Sequence, residues 1–210
     1  MKSSKGMLIT LEGGEGCGKS TQIRLLCSYL KKKGHKVFLT REPGGTKAGD
    51  AIRQVLLDKR TGRLSGICET LLYMAARAAL VEDVIAPKMR EGCLVLCDRW
   101  LDATVAYQGY GEGVDLEWIR SIGQKITQGI RPRLTLSLDL PVETGLSRAK
   151  KHKAADRMEL KKIAFHKKVR RGYLEIARRE PGRVKLLKLS AADSVQSVHE
   201  RIRELVDRVL

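Results

Sequence analysis

Residues able to do chemistry are concentrated near the N-terminus, where Gly13, Gly14, Glu15, Gly16, Cys17, Gly18, Lys19 and Ser20 match the spacing G-x-x-x-x-G-K-[ST]. Glycines let the backbone wrap around a phosphate with its N–H groups turned inward. A helix starting at Lys19 adds about half a positive charge at its N-terminus. In such a loop Lys19 bridges the β- and γ-phosphates, the Ser20 hydroxyl ligates Mg2+, and Thr21 closes the nucleotide-holding run. The pattern implies binding of a nucleoside triphosphate and does not say what is done with it. A second acidic end is Asp98, which closes the apolar run Cys93–Cys97. Strand ends in an open α/β sheet face the ligand crevice, so this carboxylate can hold Mg2+ through water.

The loop needs a strand before it and a helix after it, and the hydrophobic pattern supplies both. Met7–Leu11 reads as a strand and Lys19–Lys33 as a helix that stops at Gly34. Lys36–Thr40 is strand-like and Ala48–Asp58 helical, and Glu69–Arg90 carries a long helical pattern whose last turn Pro87 perturbs. Cys93–Cys97 is apolar throughout, as in a strand buried on both faces of a parallel sheet. Leu116–Gln128 reads as a helix, Leu134–Leu138 as a strand and Val142–Lys151 as a short helix. Then come a long basic helix, Arg157–Arg179, a last strand, Val184–Leu189, and an amphipathic helix, Val195–Val209. Strands separated by helices predict a doubly wound α/β fold around a parallel five-stranded sheet, in one domain over residues 1–210.

Composition narrows the classes. Hydrophobic residues make up 42% and charged residues 31%, ordinary values for a folded soluble chain. The apolar runs are too short to cross a bilayer, and the start Met-Lys-Ser-Ser-Lys has no apolar export signal, so the expected location is the cytoplasm. Five scattered cysteines with no CxxC pair predict reduced thiols; Cys93 and Cys97 read as core, and Cys17 sits in the phosphate loop. The net charge is +17, and residues 148–185 contribute +11 of it, with fifteen Lys/Arg against four Asp/Glu. Aromatics are only 4%, so no stacking platform is interleaved with the basic residues. A surface facing a polyphosphate and a nucleic-acid footprint both fit this local excess.

Three further signatures complete the pattern: Thr40-Arg41-Glu42-Pro43-Gly44-Gly45-Thr46, then Asp98-Arg99 leading to Ala106-Tyr107-Gln108-Gly109, then Asp156-Arg157-Met158-Glu159. In this order and spacing, from Leu8 to about Ala177, the chain resembles the bacterial thymidylate kinase family. The resemblance implies a P-loop nucleoside monophosphate kinase fold with a short lid at about 148–159. It also implies ATP as phosphate donor, Mg2+, dTMP as acceptor and a homodimer; the short apolar runs predict no membrane partner, and nucleic acid is not the expected one. Arg41, Arg77 and Arg99 match positions at or beside the acceptor monophosphate, where guanidinium forks suit a phosphate dianion. Tyr73 stands four residues before Arg77, on one helix face; the resemblance puts its ring on thymine while Arg77 bonds the base edge or the phosphate. Tyr107 corresponds to the tyrosine that crowds the sugar 2′ position, Glu15 to an acid near the 3′-hydroxyl, and Gln108 to a residue approaching the base. Ala103 replaces a common serine, and Thr104 keeps a hydroxyl one position on.

The loop has Gly16 and no arginine, so the family pattern assigns the transferring phosphate's cation to the lid, with Arg148 leading and Arg157 also matching. Lys150, Lys151, His152 and Lys153 stand where relatives commonly have further arginines. Lys19, Arg99 and Arg148 are the expected catalytic cations. Two other readings compete. One is a different nucleoside monophosphate or deoxynucleoside kinase with an altered pocket around Tyr73, Arg77, Thr104 and Tyr107. The other is a nucleic-acid-dependent ATPase using the basic 148–185 stretch, which leaves TREPGGT and AYQG unexplained.

Overall fold

The computed structural model describes residues 6–152 and 156–210, with the side chains of Lys151 and His152 left aside. Its centre is a five-stranded, all-parallel sheet of β1 (Met7–Gly13), β2 (Val37–Arg41), β3 (Leu94–Asp98), β4 (Leu134–Asp139) and β5 (Val184–Lys188). The spatial order is β2-β3-β1-β4-β5, so the strand carrying the phosphate loop lies in the middle. Being covered on both faces, the inner strands carry continuous apolar runs: Leu8, Ile9, Leu11, Val95, Leu96 and Leu136 are fully buried. Asp98 pairs with Leu11 of β1 and Arg41 of β2, which aligns the ends of three strands at one rim.

The helices cover the two faces. On one side α1 (Lys19–Lys32) and α9 (Val195–Asp207) pack Ile23, Leu26, Leu30, Val198 and Ile202 against Ile9, Leu96, Leu136 and Leu187. On the other, Val81, Ile85 and Trp100 join Leu8 and Val95. A third cluster joins α6 (Leu116–Ile126) and α8 (Ile163–Arg179) through Ile119, Val169 and Tyr173, with Tyr107 among them.

Local chemistry sets several starts. Thr46 caps α2 (Lys47–Leu57), Ser65 caps α3 (Gly66–Leu80), Asp115 caps α6 and Ser194 caps α9, each by accepting an N–H three residues on. Helix α1 starts at Gly18, in the left-handed region at φ 94°, with no side-chain cap, so its first N–H groups remain for a ligand.

The expected helices differ from the observed ones in three places. The 69–90 pattern is α3, then one wide π turn at Val81–Ile85, then α4 (Ala86–Arg90). Pro87 has no N–H to give and its ring collides with a carbonyl one α-turn back, so the wider turn before it relieves the conflict. The basic helix begins at Ile163 and not at Arg157. Asp156 Oδ1 accepts the Met158 and Glu159 N–H groups at 3.0 Å, which holds a turn in place of helix. Finally, α5 (Leu101–Thr104) runs into a π stretch, Val105–Gly111, in a region with no clear sequence period. The remaining helix, α7 (Val142–His152), leads into the expected lid.

Candidate functional site

Three glycines shape the phosphate loop. Gly13, Gly16 and Gly18 have φ of 140°, 64° and 94°, values at which side chains are strained. A Cβ on Gly16 would overlap the carbonyl oxygen of Gly145, and one on Gly145 would overlap that of Glu15. The loop and α7 therefore meet backbone to backbone, and a side chain at position 16 has no room. This contact brings Arg148, one turn beyond Gly145, to the rim of the loop.

Lys19 is buried and spans the loop, its Nζ donating to Gly13 O at 3.0 Å and Gly14 O at 2.7 Å. Ser20 Oγ donates to Asp98 Oδ2 at 2.9 Å, which joins the two expected Mg2+ ligands between the first turn of α1 and the end of β3. Cys17 points into the core, its Sγ donating to Gly14 O at 3.1 Å, so it supports the loop from beneath.

Arg99 sits at φ 73°, a left-handed conformation uncommon for a residue with a side chain. The backbone on either side is pinned: Arg99 N donates to Leu11 O at 2.9 Å, and Trp100 N donates to Glu12 Oε1 at 2.7 Å. The guanidinium then donates to Gly13 O, Tyr173 OH, Glu15 Oε1 and Tyr107 OH at 2.9–3.2 Å. Tyr107 OH also donates to Glu15 Oε1 at 2.5 Å, and Arg99 lies 4.9 Å from the Tyr107 ring centre. Burial works against ionisation of Glu15, but Arg99, Lys19 and the Tyr107 hydroxyl outweigh it and hold its carboxyl at about 2. Glu12 behaves oppositely: burial and the nearby Asp102 charge, only partly offset by Arg99 and by bonds from Tyr173 and Trp100, push it up to about 8.

These groups line one cleft of about 810 Å3. Glu15, Gly16, Gly18, Lys19, Ser20, Thr21, Arg41, Tyr73, Arg77, Asp98, Arg99, Thr104, Tyr107, Gln108 and Arg148 all contribute to its wall. Gly13, Gly14 and Cys17 of the phosphate loop are not among the residues that line it. Arg41 is well exposed and 3.8 Å from Asp50. Arg77 is 1% exposed, and its Nε and Nη2 donate to Glu42 at 2.5–3.0 Å while Nη2 also reaches Thr104 Oγ1 at 3.0 Å. Arg148 Nη2 donates to Ala191 O at 3.2 Å. Lys153 and the side chains of Lys151 and His152 lie outside the described residues, and Lys150 is exposed.

The comparisons with known proteins agree with one another. The sequence model of the thymidylate kinase family matches residues 11–202. The chain belongs to the thymidylate kinase family. A thymidylate kinase from Geotalea daltonii is 52% identical over 185 residues, covering 85% of this chain and 86% of its own. One from Geotalea uraniireducens is 45% identical over 98% of this chain and 97% of its own. Among solved structures, the thymidylate kinase from Ehrlichia chaffeensis matches with a TM-score of 0.78 and 29% identity, covering 96% of this chain and 98% of that one. The family consists of ATP-dependent nucleoside monophosphate kinases, transferases that phosphorylate dTMP.

For this family member, sequence reasoning missed some residues. Arg53 lines the cleft and donates to Pro43 O at 3.0 Å; its only signal was a cation just downstream of TREPGGT. Glu42 and Glu69 are buried at 5% and 0% exposure, and each is held by arginine. Arg157 is taken by such a pair: its Nη1 donates to Glu69 Oε1 at 2.6 Å and its Nε to Leu56 O at 2.8 Å. Among the described residues of the 148–159 stretch, Arg148 is thus the arginine whose side chain borders the cleft without a carboxylate hydrogen bond.

Two outcomes follow from this geometry. Gly16→Ala should lower stability by about 1–3 kcal/mol, since the added Cβ pushes α7 away, and should lower kcat more than it raises KM for the acceptor. Urea unfolding and steady-state kinetics read the two effects; unchanged values in both would mean the loop and α7 do not meet as described. Glu15 has a folded-state value below its unfolded one, so its stabilisation is present above about pH 4.5 and is lost as pH falls towards 2. The melting-temperature gap between the parent chain and Glu15→Gln should therefore narrow as pH is lowered through that window.

Proposed function

We propose that this cleft passes the γ-phosphoryl group of ATP to dTMP, giving dTDP and ADP, and that the roles divide as follows. The observation that carries the reading is Glu15. It belongs to the phosphate loop, yet its carboxylate is bonded to Tyr107 and Arg99 of the opposite wall, so donor and acceptor sites share a residue.

Lys19 and the uncapped start of α1 bind the β- and γ-phosphates. Ser20 and Asp98 fit an Mg2+ site: both are hard oxygen donors, and Mg2+ keeps several waters and so needs few protein ligands. The bound ion supplies charge neutralisation at the triphosphate. Arg41, Arg53 and Arg99 face the acceptor phosphate, Tyr73 stacks on the base, and Arg77, fixed by Glu42, meets the base edge. The Tyr107 ring crowds the sugar 2′ position and Glu15 takes the 3′-hydroxyl. An oxygen of the acceptor's 5′-phosphate attacks the γ-phosphorus in line as the bond to the bridging oxygen breaks. No side chain has to remove a proton, because a phosphate monoester is largely ionised at neutral pH. Arg148 neutralises the transferring group from the side of α7.

On the same reading the chain is one kinase domain with its lid at about 148–159, and it works as a homodimer. The exposed apolar pair Ile67 and Leu71 on α3 supports association. The five unpaired cysteines suit a reducing cytoplasm, and no helix among the described residues is long and apolar enough to cross a membrane.

A coupled assay of ADP release with each nucleoside monophosphate in turn tests the reading. Turnover with dTMP well above the others supports it; release that responds to DNA and not to dTMP overturns it. Lys19→Ala should lower kcat by about 10³-fold, the scale of losing a preorganised transition-state cation, with the fold retained by circular dichroism. Arg148→Ala should lower kcat by about 10²-fold while KM for dTMP moves little, and Lys150→Ala should cost well under tenfold. Normal turnover by Arg148→Ala would remove it from the phosphoryl site.

A further inference from the structure

Behind the acceptor side of the cleft lies a carboxylate that touches no substrate site directly. Glu69 is on the first turn of α3 and fully buried, and it accepts three hydrogen bonds. Gln108 Nε2 donates to its Oε2 at 2.9 Å, while Arg157 Nη1 and Lys161 Nζ donate to its Oε1 at 2.6 and 2.9 Å. Lys161 also pairs with Glu112. Burial alone would favour the neutral acid, but the bonds from Gln108, Lys161 and Arg157 outweigh it and bring the carboxyl below its ordinary value, so Glu69 is an anion at neutral pH.

An anion accepts and cannot donate. It therefore decides which end of the Gln108 amide faces it: the NH2 must turn to Glu69, which leaves the carbonyl Oε1 as the end free for a ligand. Gln108 is 1% exposed and lines the cleft, so turning the amide over would set its carbonyl against a buried carboxylate at a high cost. The cleft thus offers a fixed acceptor at this position. Arg77 and Thr104, on the same wall, supply a donor cluster locked by Glu42.

We propose that Glu69 is a positioning residue for base choice: by holding the Gln108 amide in one orientation it presents an acceptor that selects a pyrimidine carrying N3–H. Thymine and uracil have that donor. Cytosine has a bare N3 lone pair there, which would face the amide oxygen with no proton between them. Arg157 and Lys161 keep Glu69 ionised and so keep the amide from turning. The inference rests on dTMP occupying this cleft, as proposed above.

The test uses dTMP and 5-methyl-2′-deoxycytidine monophosphate, which share the methyl group, sugar and phosphate and differ at N3 and C4. The readout is the ratio of their kcat/KM values. Glu69→Gln frees the amide to face either way, and the ratio should fall about tenfold, the scale of one buried hydrogen bond, with residual preference left to Arg77. Glu69→Asp keeps the charge for Arg157 and Lys161 but withdraws it by one methylene from Gln108, and it should show the same fall if Glu69→Gln does not fold. Gln108→Met, which leaves the Arg157 and Lys161 pairs of Glu69 in place, should lower the ratio to a similar extent. A merely structural Glu69 would lower both kcat/KM values together, and an unchanged ratio in a folded Glu69 variant overturns the proposal. So does an unchanged ratio in Gln108→Met. If the parent chain does not turn over dTMP at all, it is the assignment of the cleft that fails, and the two failures are told apart by that one measurement.

Discussion

The site depends on how Arg99 is held. A guanidinium with four acceptors around it, Glu15 and its partner Tyr107 among them, joins the phosphate loop to the opposite wall. It can only reach them because the chain leaves β3 in a left-handed turn, which a non-glycine residue adopts at a cost of about 1–3 kcal/mol. That cost is offset locally by the Leu11 carbonyl and the Glu12 carboxyl oxygen, which take the N–H groups of Arg99 and Trp100. Glu12 sits at full burial next to Asp102, and its affinity for a proton rises accordingly. The strain, the buried acid and the cation belong to one arrangement.

A second constraint is charge. The chain carries +17, and the cleft gathers several arginines and a lysine, which without ligands would repel one another. Paired carboxylates manage this: Glu42 fixes Arg77, Glu15 fixes Arg99, Glu69 fixes Arg157, and Asp102 fixes Arg183. Buried pairs of this kind are weak evidence for stability, since desolvation consumes much of their attraction, but they set geometry well. Arg77 and Arg157 are therefore oriented groups, and Arg41 and Arg148 are less restrained cations on the wall of the cleft. Much of the basic excess of 148–185 is also spoken for on the surface, as in Arg170 with Asp139 and Lys167 with Glu143.

Glycine placement links the two halves of the chemistry. Gly16 and Gly145 let the phosphate loop and α7 touch through their backbones, so the position that could have carried a loop cation is closed by α7 itself. The close approach leaves no room for an arginine at position 16, and it sets Arg148 of α7 on the wall of the cleft.

The sequence by itself determined the strands, the phosphate loop and the residues that gather around it. Five apolar runs alternating with helical patterns suffice for a parallel sheet, and G-x-x-x-x-G-K-S after a strand leaves its glycines, Lys19 and Ser20 little choice of place. Those signals are local: period, propensity and turn chemistry act over a few residues. Only the tertiary structure decided that Arg157 is an anchor to Glu69 and no helix start, and that Val105–Gly111 winds as a π stretch carrying Tyr107 and Gln108 to the cleft. It alone decided that Glu42 and Glu69 are buried and which cation each holds. An ion pair between residues 35 or 88 positions apart leaves no period in the sequence, because the energy that selects it is desolvation, and desolvation exists only once the sheet and helices have closed around both charges.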